Sequence, residues 1–309
     1  MENAPIHYSV GCIAAPIHVY YDRLDPVTPA RRATVVMLHG GAHSGAGYLA
    51  TADGRPGWAH VFAAHGHRVV VPDWPGCGRS GFIPPEEIDG DIVCRGIGAL
   101  LDKLEPPLVL LTHSMSGAFG WRLLETHGNR LAALVGVAPA PPGNIQPEPK
   151  IEAETETEIT ISTGTRRQRL RKVGPVRSEP PFVTDKLIGN SRFFPTERIA
   201  TYAASLLAIQ GRLLCQRQNI RGGQMRVQDT RRLAGKRILV LTGTEDLDHP
   251  RATDEGIATW LTGCGAEADY LYLGDRGIVG NGHMLMLEQN SDDIAAIIID
   301  WLARAVPAH

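Results

Sequence analysis

The 309-residue chain carries almost no net charge, with 31 Lys and Arg against 33 Asp and Glu. So balanced a surface gives no electrostatic footprint for a polyanion, which argues against nucleic acid as a partner. Long apolar runs are also missing. The longest candidate, residues 294–302, is interrupted by Asp300 and falls well short of the roughly 20 residues a membrane helix needs. The opening MENAPIHYSV has no basic stretch before an apolar core, so no secretory signal is expected. Cysteine is scarce: Cys12, Cys77, Cys94, Cys215 and Cys264 are scattered, odd in number and free of C-x-x-C spacing. Neither a disulfide framework nor a structural zinc site is expected, and a cytoplasmic location suits such a chain. No G-x-x-x-x-G-K-[ST] and no H-E-x-x-H occurs, so no cofactor or metal is expected.

What is present is ordinary for a soluble globular protein: 43% apolar and 21% charged residues. Short, continuously apolar runs at 35–38, 69–71, 108–111, 134–137 and 238–241 have strand length and suit strands buried on both faces. Helical patterns separate them, at 58–65, 88–104, 115–127, 253–261 and 292–304. Ser291 and Asp292 supply an N-cap signal for the last. The alternation predicts an α/β fold with a doubly wound, mostly parallel sheet. Residues 6–12 and 17–21 read as an antiparallel pair that starts it.

The rhythm stops between Pro139 and Lys236. A proline-rich stretch leads to Glu152, Glu154, Glu156 and Glu158, then to Arg166, Arg167, Arg169, Arg171 and Lys172. The basic run reads as a solvated surface paired with those glutamates. A long helical pattern covers 196–219. The expected organisation is therefore a core of residues 1–138 and 237–309 with a cap or lid inserted at 139–236.

The strand at 108–111 runs through Thr112-His113 into Ser114-Met115-Ser116-Gly117 and then a helix. This is the context of a strained strand-to-helix turn that lifts a serine above a sheet, although a serine there can also merely cap the helix. Upstream, a strand ends in His39-Gly40-Gly41-Ala42, where backbone N–H groups of Gly41 and Met115 could hold an oxyanion. His39 reads as a brace for that loop. The base is assigned to His283, in the flexible Gly280-Asn281-Gly282-His283 turn; His113 is expected to point away from the serine along its strand. For the acid that orients the base, Asp246 ranks first, Asp248 second and Glu245 third, all after the strand at 238–241. The G-x-G-x-x-G at 76–81 is a decoy: Pro84-Pro85 follows where a dinucleotide fold needs a helix.

These residues resemble the α/β-hydrolase superfamily. His39-Gly40-Gly41 is similar to its oxyanion loop, Asp73-x-Pro75-Gly76-x-Gly78-x-Ser80 to its conserved turn, and Ser114-Met115 to its nucleophile elbow. The order Ser114, Asp246, His283 is that of the family's triad. TADGRPGW (51–58) and GNGHMLMLEQNS (280–291) further resemble a small subgroup of capped bacterial serine esterases. Two departures stand out. Thr112 and Ser116 replace the elbow glycines, and Val137-Ala138-Pro139-Ala140 offers no carboxylate where some of that subgroup place the acid. The resemblance implies hydrolysis of a carboxylic ester or lactone through an acyl-enzyme. C–C bond hydrolysis or a non-hydrolytic biosynthetic step on the same triad is the alternative, and a catalytically silent ligand-binding relative is another. A small-molecule substrate is the expected partner, with a homodimer left open. Ala42, Phe193, Phe194, Tyr202 and Leu206 are the expected substrate-binding residues.

Overall fold

The computed structural model describes residues 5–27, 32–164 and 166–306. The reading of the first ten residues and the outer limits of the two-part core fall partly outside them, on 1–4 and 307–309. The chain begins with β1 (Ile6–Ile13), β2 (Val19–Pro26) and β3 (Thr34–Leu38), followed by α1 (Ala46–Leu49), α2 (Trp58–Ala64) and β4 (Val69–Pro72). Next come α3 (Gly90–Lys103), β5 (Leu108–His113), α4 (Ser116–His127) and β6 (Leu131–Val137). The inserted segment holds β7 (Lys150–Glu154), β8 (Glu158–Thr163), β9 (Arg166–Arg171), β10 (Pro175–Val176), α5 (Ile199–Ser205), β11 (Ile209–Gln210) and α6 (Gly211–Arg217). The chain closes with β12 (Arg237–Thr242), α7 (Arg251–Gly263), β13 (Glu267–Tyr272) and α8 (Ser291–Ala305).

The eight-stranded central sheet has the order β1-β2-β4-β3-β5-β6-β12-β13. β2 pairs antiparallel with β1 and β4, and every later neighbour is parallel. Every residue of β3, β4 and β5 is buried, as continuous apolar strands require when helices cover both faces. Alternate side chains feed two apolar layers. Val35, Met37, Val109 and Leu111 meet Phe62 of α2 and Ile298 of α8 on one face. Val36, Leu38, Leu108 and Leu110 meet Ile97 of α3, Phe119 of α4 and Leu261 of α7 on the other. The doubly wound sheet expected from the sequence is therefore the one observed, and its hairpin start is β1–β2.

Three local expectations need correction. The helix expected over 196–219 is broken: α5 ends at Ser205 and α6 starts at Gly211. The apolar period continues across the gap, but tertiary contacts override it. The Leu207 amide donates to Ala42 O at 2.8 Å, and Ile209 pairs with Val176. The segment is also not strand-free. The alternating glutamates and arginines form a three-stranded antiparallel sheet, β7-β8-β9, held on its outer face by the expected ion pairs Arg167–Glu152, Arg169–Glu158 and Lys172–Glu154. Finally, α8 begins at Ser291 with Asn290 in the cap position and no side-chain cap. The Asn290 amide is taken up by Asn281, which donates to it at 2.7 Å. Among the described residues no helix is long and apolar enough to cross a membrane.

Candidate active site

Ser114 lies between β5 and α4 with φ +52°. For a residue with a Cβ this left-handed conformation costs about 1–3 kcal/mol and persists only where the surroundings dictate it. Here they do. The Ser114 amide donates to Val137 O at 3.1 Å, and its carbonyl accepts from Gly117 N (2.8 Å) and Ala140 N (2.7 Å). Gly117 is required by closeness: a Cβ there would lie 2.5 Å from Pro139 Cβ and 2.6 Å from Ala140 N. The two departures from glycine have physical explanations. Ser116 Oγ donates to His39 O at 2.5 Å and accepts from Trp74 Nε1 at 3.1 Å, so its hydroxyl links the elbow to the loop after β3. Thr112 is fully buried, and its methyl faces Gly120, whose missing side chain leaves the room.

The loop after β12 carries Asp246 and the loop after β13 carries His283; both meet Ser114 above the carboxyl ends of the parallel strands. His283 Nδ1 donates to Asp246 Oδ2 at 2.7 Å, which leaves Nε2 to accept from Ser114 Oγ at 2.9 Å. His283 is 2% and Asp246 6% exposed. Burial alone would raise the Asp246 carboxyl, but attraction to His283 and the hydrogen bond from its ring hold it at about 2. The other Asp246 oxygen accepts the amides of Asp248 (3.0 Å) and His249 (3.1 Å). Asp248, the second-ranked acid, is elsewhere engaged: Lys186 reaches it at 2.5 Å and Arg166 at 3.2 Å. Glu245 donates its backbone amide to Asn281 O and its carboxylate makes no contact with His283.

The depressed Asp246 carboxyl has a consequence for stability. Between its ordinary value near 4 and about 2, the unfolded chain binds more protons than the folded one. Its contribution is therefore complete above pH about 4 and disappears as pH falls toward 2, by roughly 2 kcal/mol. Urea unfolding at pH 5 and pH 3 should show a stability loss smaller in Asp246→Asn than in wild type by about 1 kcal/mol, half of that amount, because pH 3 lies midway between the two values.

Several supporting groups escaped sequence reasoning. His113 does avoid the serine, but its Nε2 donates to His283 O at 3.0 Å and its ring packs 4.7 Å from that of His283. Burial keeps it neutral. On another side the His249 ring stacks on His283 at 5.3 Å and bonds Asp254, which in turn accepts from Thr242. The loop bearing His283 is tied by the fully buried Glu288, which accepts from Ser191, Asn281 and the Gly282 amide. Burial raises this carboxyl against the pull of those donors. The only sequence signal was its place in GNGHMLMLEQNS. Glu288→Ala removes the acceptor of the Gly282 amide and the Ser191 hydroxyl and one of the two bonds from Asn281, and should destabilise the protein by about 3 kcal/mol, measured by denaturant midpoint.

The loop after β3 packs against the elbow. His39 braces it as expected, with Nδ1 donating to Gly40 O, Nε2 accepting from Trp74 N, and its ring stacked on Trp74 at 4.5 Å. A Cβ on Gly41 would come within 3.1 Å of Met115 Sδ, so the two residues expected to supply the oxyanion donors pack together. Neither amide has a protein acceptor among the described residues. Ala42 takes φ +62°. His43, missed from sequence, donates through Nδ1 to Gly41 O (2.7 Å) and accepts at Nε2 from Tyr202 Oη (2.9 Å). Tyr202 is buried against Phe194, their rings 5.1 Å apart. Leu206 is half-buried beside them, and Phe193 abuts Gly280 in the His283 loop. Among the described residues no three His, Cys, Asp or Glu side chains are grouped to hold a metal ion. The Gly76–Gly81 turn wraps the Asp73 carboxylate, which accepts from Gly45 N and Arg79.

Comparison with known proteins agrees with this fold. Residues 35–297 match the model of the alpha/beta hydrolase family, and the chain belongs to that family. A fungal protein named as a probable secreted lipase is 23% identical over 93% of this chain and 86% of its own. A thermophilic esterase from Thermogutta terrifontis has the same fold, with a TM-score of 0.60 and 16% identity over 96% of this chain and 99% of its own. So does the CarC enzyme, a serine hydrolase involved in carbazole degradation, with a TM-score of 0.62 and 16% identity over 96% and 100% of the two chains.

Proposed function

We propose that this chain is a serine-dependent hydrolase of carboxylic esters or lactones acting on a small molecule. The observation that carries the reading is the unbroken hydrogen-bonded series Asp246–His283–Ser114, buried at the acid and open at the serine. Ser114 Oγ attacks the carbonyl carbon as its proton passes to His283 Nε2. Asp246 keeps the proton on Nδ1 and stabilises the imidazolium that forms. The Gly41 and Met115 amides receive the oxyanion; each such donor is worth about 10²–10³ in rate. His283 then gives its proton to the departing alcohol. Water, deprotonated by the same nitrogen, releases the acid from the acyl-serine.

Residues 139–236 act as a cap. In support, the Leu207 amide bonds Ala42 and Tyr202 bonds His43, so the inserted segment rests on the oxyanion loop. Ala42, Phe193, Phe194, Tyr202 and Leu206 form the apolar side of the substrate site. The five cysteines, none in a disulfide, favour a reducing cytoplasm. Lipase and esterase relatives support ester chemistry. The reading is tested with p-nitrophenyl esters of increasing acyl length and a panel of lactones. Turnover with a pre-steady-state burst of nitrophenol supports an acyl-enzyme; inertness toward every ester and lactone overturns the assignment.

A further inference from the structure

The loop after β3 runs directly past the serine. A Cβ on Gly40 would lie 3.1 Å from Ser114 Cβ and 2.8 Å from His113 Nδ1. Four successive carbonyls of this loop are taken up. Gly40 O accepts from His39 Nδ1 at 2.8 Å and Gly41 O from His43 Nδ1 at 2.7 Å. Ala42 O accepts from the Leu207 amide at 2.8 Å and His43 O from the Cys77 thiol at 3.3 Å. A trans peptide points its N–H opposite to its own carbonyl. Pinning Gly40 O therefore aims the Gly41 amide, and pinning Gly41 O fixes the plane that follows. Both restraints matter here. Gly41 has no Cβ to limit its rotation, and Ala42 sits at φ +62°, a conformation that persists only where its surroundings impose it.

One of these restraints reaches the loop from the inserted segment through a side chain. Tyr202 of α5 lies 2.9 Å from His43 Nε2 through its hydroxyl. The direction of the bond is settled by its neighbours. A carbonyl can only accept, so the His43 proton facing Gly41 O is on Nδ1. Burial keeps the His43 ring neutral, pushed down to about 4, so it holds no second proton and Nε2 accepts from Tyr202. Burial likewise keeps the Tyr202 hydroxyl protonated, well above the ordinary tyrosine range. The Tyr202 bond thus selects the His43 tautomer. Were the proton on Nε2 instead, the Nδ1 lone pair would face the Gly41 carbonyl and release it. The His43 ring also stands edge-on to His113, centroids 6.4 Å apart, and His113 bonds His283 O.

We propose that Tyr202 is a positioning residue for the oxyanion site: acting through His43, its hydroxyl locks the Gly41–Ala42 peptide and so keeps the Gly41 donor in place for the reaction at Ser114. This rests on the ester-hydrolase reading and adds to it a residue that works at one remove from the substrate. Tyr202→Phe keeps the ring and removes only the bond. It should lower kcat for p-nitrophenyl valerate by about 10- to 100-fold, somewhat less than loss of a whole oxyanion donor, and leave KM within about threefold. Inhibition by 1-butaneboronic acid, whose serine adduct is tetrahedral like the transition state, should weaken by about the same factor. Because the two groups act in series, adding Tyr202→Phe to His43→Ala should cost less than about twofold more. A rise in KM alone would mark Tyr202 as a substrate contact. A lower melting temperature with kcat and boronate affinity unchanged would mark it as structural. Either result, or additive losses in the double variant, overturns the relay; the single variant decides if His43→Ala does not fold. If wild type turns over no ester, it is the hydrolase reading that fails. The rate of fluorophosphonate labelling at Ser114 then still decides the relay: labelling at least about tenfold slower in Tyr202→Phe supports it, and equal rates, or no labelling of wild type, overturn it.

Discussion

Ser114→Ala lowers kcat for a p-nitrophenyl ester by about 10⁶-fold and leaves the melting temperature within a few degrees of wild type. The size follows from the role of the hydroxyl. In the proposed mechanism no acyl-enzyme forms without Oγ, and His283 and the proposed oxyanion donors can assist only direct attack by water, a residual worth about 10³–10⁴ over solution. The fold should persist because the elbow is held by backbone groups. The Ser114 amide and carbonyl bond Val137, Gly117 and Ala140, and alanine keeps the same backbone at φ +52°. Steady-state kinetics on protein checked for folding by thermal melting measure both parts.

Asp246→Asn costs about 10⁴-fold in kcat, whereas Asp248→Asn costs less than about tenfold. The two aspartates are close in sequence and distinct in surroundings. An amide at 246 presents a donor or a weaker acceptor to His283 Nδ1. It therefore favours the tautomer with Nε2 protonated, which cannot accept from Ser114, and it withdraws the charge that stabilises the imidazolium. Among the described residues the Asp248 carboxylate bonds only Lys186 and Arg166. Equal losses at the two positions would contradict the assignment.

The contrast also shows what was legible in the chain before its structure. The sheet was readable because β3, β4 and β5 are short, continuously apolar and β-branched, and nothing non-local competes with that pattern. Ser114 and His283 were readable because each sits in a turn after a strand, where the fold makes a cleft. Their meeting with Asp246 follows from topology. The choice among Glu245, Asp246 and Asp248 did not, since it depends on how one loop folds. Asp246 accepts two amides of its own loop with one oxygen, which aims the other at His283. The inserted segment was least readable. A regular apolar period ran through residues 206–210, yet the chain there is extended because Leu207 and Ile209 are held by Ala42 and Val176. The bond from Tyr202 to His43 spans 159 residues, and no local pattern announces it. Ser116 is the instructive case. It departs from the glycine of the family's elbow, and in the structure its hydroxyl fastens the elbow to the loop after β3.

Covalent labelling tests the central claim most directly. The protein is treated with a fluorophosphonate, digested, and the modified peptide is mapped by mass spectrometry. One adduct per chain on Ser114, formed rapidly in wild type and absent from Ser114→Ala, is the expected result. An adduct on another residue, no adduct at all, or labelling undiminished in Ser114→Ala would contradict the account.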